Sequence, residues 1–234
     1  MSKKSVIKMT AMAAAFAATA VPMAASAEVT GSLGASSFYL WRGQDLSAGG
    51  GVISGSVDYA SGGFYTGIWG SSEASGLGGE YDLYAGFAGE AGGLSYDISY
   101  WTYVYPGSDV GAGEIGEIIL GLGMGDFGLT FYTNAGREEN TSSFNAVTQV
   151  GEETDLSVGD DHYLTLSYGM GNFSFLVGTW MLDADDSDYT HVDVGYSPIE
   201  NLTFTASKVV SSDDFAGVTD DQDVLFNVAY SFPL

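Results

Sequence analysis

The side chains able to do chemistry here are overwhelmingly carboxylates: 30 aspartates and glutamates stand against six lysines and arginines, two histidines and no cysteine. Without cysteine there is no thiolate nucleophile, disulfide or zinc–thiolate site. His162 and His191 each lie in a stretch of alternating residues. A hydrolase embedded in a membrane would need Ser and His side by side on the lipid face near one rim. His162 and Thr190, two runs further on, point the same way, but no motif marks a nucleophile, so no catalytic residue is assigned and interface histidines are the plainer reading. The aspartate runs "DADDSD" (183–188) and "DDFAGVTDDQD" (213–223) offer oxygen donors to calcium or magnesium. Neither has the full calcium-loop spacing with its glycine and distal glutamate, so no metal or cofactor is expected. "GLGMGDFG" (121–128) contains G-x-G-x-x-G from Gly123 to Gly128. A dinucleotide cradle needs a helix after it. The following "FGLTFYTN" alternates instead, and a near-copy, "GMGNF", recurs at 169–173. Gly-Asp and Gly-Asn are pairs that suit two-residue hairpin turns, so the glycines mark turns.

The elements carrying these groups follow from charge and period. Residues 1–27 read as a cleaved export signal, with Lys3, Lys4 and Lys8, an apolar stretch from Met9 to Val21, and "ASA" before the cut. Removing them takes three bases and no acid, so Arg42, Arg137 and Lys208 face all 30 acids and the net charge of 28–234 is −27. Such a surface repels nucleic acid. Acidic chains that stay disordered are poor in aromatics, whereas 14% of this chain is Phe, Trp and Tyr. No segment after the signal approaches the roughly 18 apolar residues of a membrane helix, so a membrane location would demand a closed barrel.

Period-two alternation dominates 28–234. His162, Leu164, Leu166, Tyr168 and Met170 share one face; Asp161, Tyr163, Thr165, Ser167 and Gly169 share the other. Twelve such runs are expected near 29–42, 52–60, 64–71, 80–88, 94–105, 114–124, 127–134, 161–170, 173–182, 189–197, 201–211 and 222–232. Counts of ten or fourteen stay open, because the first three runs alternate least cleanly. Short connections (61–63, 89–93, 125–126, 171–172, 197–200) take turns with longer ones (43–51, 72–79, 106–113, 135–160, 183–188, 212–221). Sorting of this kind belongs to outer-membrane barrels, with short periplasmic turns and long extracellular loops. The expected fold is therefore all-β: one up-and-down antiparallel transmembrane barrel over 28–234, with acidic loops holding Glu138, Glu139, Glu152, Glu153, Asp155 and Asp160. Tyr59, Tyr81, Tyr168, Phe173, Tyr196, Tyr230 and Phe232 sit toward run ends, as interfacial girdles would.

A carboxylate facing lipid costs a few kcal/mol. Asp58, Glu80, Asp82, Asp97, Glu117 and Asp193 are therefore placed on the inward face, with Arg42 near the external mouth. The expected partner of Arg42 is Glu80 or Asp82. A lumen with more acids than bases favours cations. The 135–160 loop is long enough to fold inward, and no separate N-terminal plug domain is expected.

Four segments then carry a family resemblance: "SSFYLWRGQDLS" (36–47), "GGFYTGIWGSS" (62–72), "EYDLYAGFAG" (80–89) and "YVYPG" (103–107). In this order they resemble the TorF porin family, also described as the Gcw_chp family. The positions shared are Trp41, Arg42, Gly43, Phe64, Tyr65, Gly67, Trp69, Ser71, Glu80, Asp82, Tyr84, Gly86, Tyr103, Tyr105, Pro106 and Gly107. The resemblance covers roughly the first 80 residues after the signal, and beyond that only the strand pattern continues. It implies an outer-membrane barrel with a pore and brings no solute with it.

The expected function is passive diffusion of small hydrophilic solutes, with a preference for cations. Expected partners are outer-membrane lipid, lipopolysaccharide and the barrel-assembly machinery, which commonly reads a C-terminal aromatic; here Phe232 lies two residues before the end. The rival is a closed structural or binding barrel whose acidic loops meet divalent cations or lipopolysaccharide. A hydrolase is less favoured.

Overall fold

The computed structural model describes residues 27–72, 78–136, 159, 161–182, 188–213 and 218–234. The signal segment and most of the acidic-loop residues named above, including the inward-folding candidate at 137–158, lie outside them. Twelve antiparallel strands close into a barrel, each paired with its neighbours in sequence and the first with the last. They are β1 (Glu28–Ser36), β4 (Val52–Ser61), β5 (Phe64–Ser71), β6 (Glu80–Ala91), β7 (Leu94–Tyr105), β8 (Val110–Met124), β9 (Phe127–Asn134), β10 (His162–Met170), β11 (Phe173–Met181), β12 (Tyr189–Ile199), β13 (Leu202–Ser212) and β14 (Leu225–Ser231). Gly34 opposite Ser231 and Gly34 opposite Ser54 place β1 between β14 and β4. Two further strands, β2 (Leu40–Trp41) and β3 (Gln44–Asp45), pair only with each other.

The twelve expected runs are the twelve barrel strands, with one correction. The first run, read as 29–42, is strand only to Ser36; the rest belongs to a separate hairpin. β8 also begins at Val110, four residues earlier than expected, which shortens the connection after β7 to a single 3-10 turn at Pro106–Ser108 and one further residue.

The strands form because alternation satisfies two solvents at once. On β4, Ile53, Val57 and Tyr59 face outward, 60%, 57% and 40% exposed, while Val52, Ser54 and Asp58 turn in. β10 repeats this with Leu164 and Leu166 outward and Tyr163 and Thr165 buried. The turn rim is tight. Met124 pairs directly with Phe127 across Gly125 (φ +62°) and Asp126, which settles the G-x-G-x-x-G stretch as a hairpin turn followed by a strand. Gly171 repeats the device at φ +61°. Outward aromatics cluster at this rim, where Phe127 meets Tyr168 and Phe173 meets Tyr196 with ring centroids 4.7 and 4.9 Å apart. That matches the expected girdle on the turn side.

Candidate functional site

Ser36 and Val52 are paired across β1 and β4, so a short link could join them. The chain instead spends residues 37–51 on a detour into the barrel. Leu40 pairs with Asp45 and Trp41 with Gln44, and Arg42 (φ +46°) and Gly43 (φ +82°) make the two-residue tip. Two successive positive φ values are the backbone of a type I′ turn; a non-glycine residue there, such as Arg42, costs about 1–3 kcal/mol. The base is fixed by Asp45, whose carboxylate accepts from the amides of Ser47 (2.9 Å) and Gly49 (2.6 Å). Leu40 and Leu46 are almost fully buried. No ladder bond joins the hairpin strands to the wall. Side chains hold the tip instead: Tyr189 donates to the carbonyl of Arg42 (3.0 Å), and Gln44 Nε2 donates to the Tyr189 hydroxyl (2.7 Å).

Arg42 is the centre of this arrangement. Its Nη2 lies 2.7 Å from both Oε1 and Oε2 of Glu117 on β8. Its Cζ lies 4.6, 4.9, 4.4 and 4.7 Å from the ring centroids of Trp41, Tyr132, Tyr163 and Trp180. Each distance is well inside the ~6 Å reach of a cation–π contact, which is strongest when desolvated. Burial alone would lower the guanidinium pKa, but the Glu117 carboxylate outweighs it and the shift is upward. Arg42 is therefore a fixed cation sunk in the lumen. The expected partner was wrong: Glu80 is engaged by the Tyr105 hydroxyl (2.9 Å) and Arg42 by Glu117. Alternation identifies which carboxylates face inward, but which of them meets a loop residue depends on how far the loop enters.

The wall supports the cage from behind. Tyr103 donates to Glu117 Oε2 at 2.6 Å. The Tyr163 hydroxyl meets His191 Nε2 at 2.6 Å, His191 Nδ1 meets Asp193 Oδ1 at 3.0 Å, and the Ser207 hydroxyl donates to the same Asp193 oxygen. His191 is thus a buried lumen residue, not an interface one as expected. The chain of contacts is wedged in place at Gly178, where a Cβ would fall 2.3 Å from Tyr163 Oη and 2.4 Å from His191 Nε2. Nearer the turn rim, Tyr84 donates to Asp58 and stacks on Trp101 (3.8 Å, 13°), and Tyr65 donates to Asp97 at 3.0 Å.

All seven residues expected to line the lumen therefore have side chains within the barrel, and the structure joins two of them, Arg42 and Glu117. Asp58, Asp97 and Asp193 are satisfied by Tyr and His neighbours, while Glu80 Oε2 and Asp82 Oδ1 are buried acceptors without a donor among the described residues. Tyr132, Tyr163, Trp180 and Tyr189 were not anticipated. Their signal was an aromatic on the otherwise small and polar face of a run. The remaining space beside Arg42 is about 50 Å³, bordered by Trp41, Glu80, Glu117 and Trp180. That admits a few waters, far below the roughly 300–1,000 Å³ of a small-molecule site.

Fold and site together define a closed twelve-stranded β-barrel with a hairpin seated in its lumen. The Gcw_chp family, described as "bacterial protein of unknown function", matches residues 19–126, a span that includes all four motif segments and the hairpin. No curated protein matches the chain. Similar solved structures include a mutant of the Rh. blastica porin (15% identity, TM-score 0.41), of which the chain spans 55% while 77% of the chain is covered. Outer membrane phospholipase A from Escherichia coli is similar at 10% identity and TM-score 0.45, over 86% of this chain and 91% of that one. Pseudomonas aeruginosa OccK10 is similar at 11% identity and TM-score 0.41, over 89% and 70%. At this level of similarity they transfer no activity, and the architecture rests on the chain's own strand pairing.

Proposed function

We propose that the protein is an outer-membrane channel for small hydrophilic solutes, preferring cations, and that the hairpin 37–51 is its gate, seen closed. One observation carries the reading: a wall lined with carboxylates is blocked at one level by a hairpin whose strands, Leu40–Trp41 and Gln44–Asp45, pair only with each other, while its entry at Ser37 and Phe38 is tied to β14. The apolar exterior supports a membrane location, since side chains such as Ile98 (53% exposed) and Phe226 (72%) form a belt that water would not tolerate. With Arg42 seated, its charge and Glu117 cancel. With the hairpin withdrawn, Glu117 joins Asp58, Glu80, Asp82, Asp97 and Asp193, and the lumen becomes strongly cation-attracting. A non-enzymatic role is part of this reading. His191 Nε2 is bound to the Tyr163 hydroxyl inside the lumen, and His162 Nδ1 meets the Thr133 hydroxyl at 3.0 Å, a pair to which the sequence attaches no nucleophile motif. Lipopolysaccharide and the barrel-assembly machinery remain the proposed partners.

The test is the reversal potential of the protein in a planar bilayer under a KCl gradient. A cation-selective potential is expected; an anion-selective one would overturn the assignment of charge to the lumen. A second reading, a permanently closed binding barrel, is favoured by the small free space beside Arg42. It predicts no current even from a barrel whose hairpin has been removed.

A further inference from the structure

The wall around Arg42 is built as a receptor whose own hairpin fills it. Its parts come from four consecutive strands: Glu117 from β8, Tyr132 from β9, Tyr163 from β10 and Trp180 from β11. The ladder between those strands holds them whether or not the hairpin is present. Both key groups are also braced from behind, Glu117 by Tyr103 and Tyr163 by His191. Both oxygens of the Glu117 carboxylate converge on one guanidinium nitrogen, and the ring centroids of Tyr132, Tyr163 and Trp180 lie 4.9, 4.4 and 4.7 Å from the guanidinium carbon. This combination of charged acceptor and ring faces suits a flat, weakly hydrated cation. The occupant, by contrast, is strained, since Arg42 holds a left-handed backbone at φ +46°. Strain in the occupant and preorganisation in the wall are what a competitive site requires.

We infer that this cage is a binding site for small guanidinium-bearing solutes, with Arg42 as its tethered occupant, so that a free guanidinium competes with the hairpin for the wall. The inference rests on the hairpin being separable, as the channel reading holds. A solute drawn into the acidic mouth would meet Glu117 and the three wall rings, and its binding would favour the withdrawn hairpin by mass action. Tethering makes the wild-type site look weak to a free ligand, because only the fraction with Arg42 displaced can bind.

The experiment is calorimetric titration of methylguanidinium into the full folded barrel, as wild type, as Arg42→Ala and as Arg42→Ala with Glu117→Gln. Arg42→Ala is expected to bind one equivalent saturably, wild type at least tenfold more weakly, and the double variant at least tenfold more weakly than Arg42→Ala. A barrel with residues 39–48 replaced by a short Gly-Ser link is a second receptor, should the vacated hairpin collapse into the cage. The inference is overturned if neither vacated barrel binds more tightly than wild type. It is also overturned if tetramethylammonium, which cannot pair edge-on with a carboxylate, binds as tightly as methylguanidinium. Binding without current through the hairpin-free barrel would sink the channel reading and leave the site standing; current without binding would do the reverse.

Discussion

Gly43→Ala is the most revealing single perturbation of the hairpin, because it changes neither charge nor the barrel wall. Gly43 sits at φ +82°, and an added Cβ would lie 2.7 Å from both Cβ and Cγ of His191. His191 cannot step aside: it is 1% exposed and held at both ring nitrogens, by Tyr163 and Asp193. The left-handed backbone costs an alanine about 1–2 kcal/mol and overpacking adds about 1–3 kcal/mol. The seated hairpin should therefore lose about 2–5 kcal/mol relative to the withdrawn one, lowering the seated-to-withdrawn ratio by about 30-fold to about 5,000-fold. Trypsin reads this directly. Beyond the signal its sites are Arg42, Arg137 and Lys208, and Arg42 is 7% exposed while the hairpin is seated. Cleavage after Arg42 follows the withdrawn population when opening is fast relative to cutting. The expected result is faster cleavage at Arg42 with an intact barrel. Cleavage at Arg42 no faster than in wild type would refute the idea that Gly43 is required for the hairpin to fit against His191.

Three further outcomes follow from the same contacts. Glu117→Gln leaves the Arg42 guanidinium buried without its counter-charge and should destabilise the seated hairpin by about 3–5 kcal/mol, seen as trypsin cleavage at Arg42 beyond that of Gly43→Ala at the lower end of its range. Gly178→Ala should separate Tyr163 from His191 and lower stability by about 1–3 kcal/mol, measured as a lowered midpoint of urea unfolding in detergent. Leu166→Arg, at an outward position 53% exposed, should cost about 2–4 kcal/mol if it faces the bilayer midplane. An equilibrium of folding into phospholipid vesicles unchanged by Leu166→Arg would show that this face does not meet lipid.

Most of the barrel was legible because two solvents write a strict period of two. The faces of β10 and the turn at Gly125 could be read residue by residue. The hairpin could not, since "FYLW" (38–41) is apolar on both faces and follows β1 with only Ser37 between, so it reads as more of the same strand. The departing signal was "RGQD", an Arg-Gly pair able to take two positive φ values, followed by "SAGGG". Inward placement of the lumen carboxylates was readable from the cost of charge in lipid. The partner of Arg42 was not, because Glu117 is 75 residues away and only the depth of the hairpin selects it over Glu80. Tyr132, Tyr163 and Trp180 were hidden for a related reason: an inward aromatic on a polar face has no explanation until something cationic is found to fill the space between.

The central claim, that this barrel is a channel closed by its own hairpin, is tested most directly by comparing single-channel recordings of wild type and of the barrel with residues 39–48 replaced by a short Gly-Ser link. Ser36 and Val52 are already paired, so the link leaves the wall intact. Rare openings are expected from wild type, and sustained, cation-selective steps from the variant. A variant shown to be folded and inserted, yet silent, would contradict it.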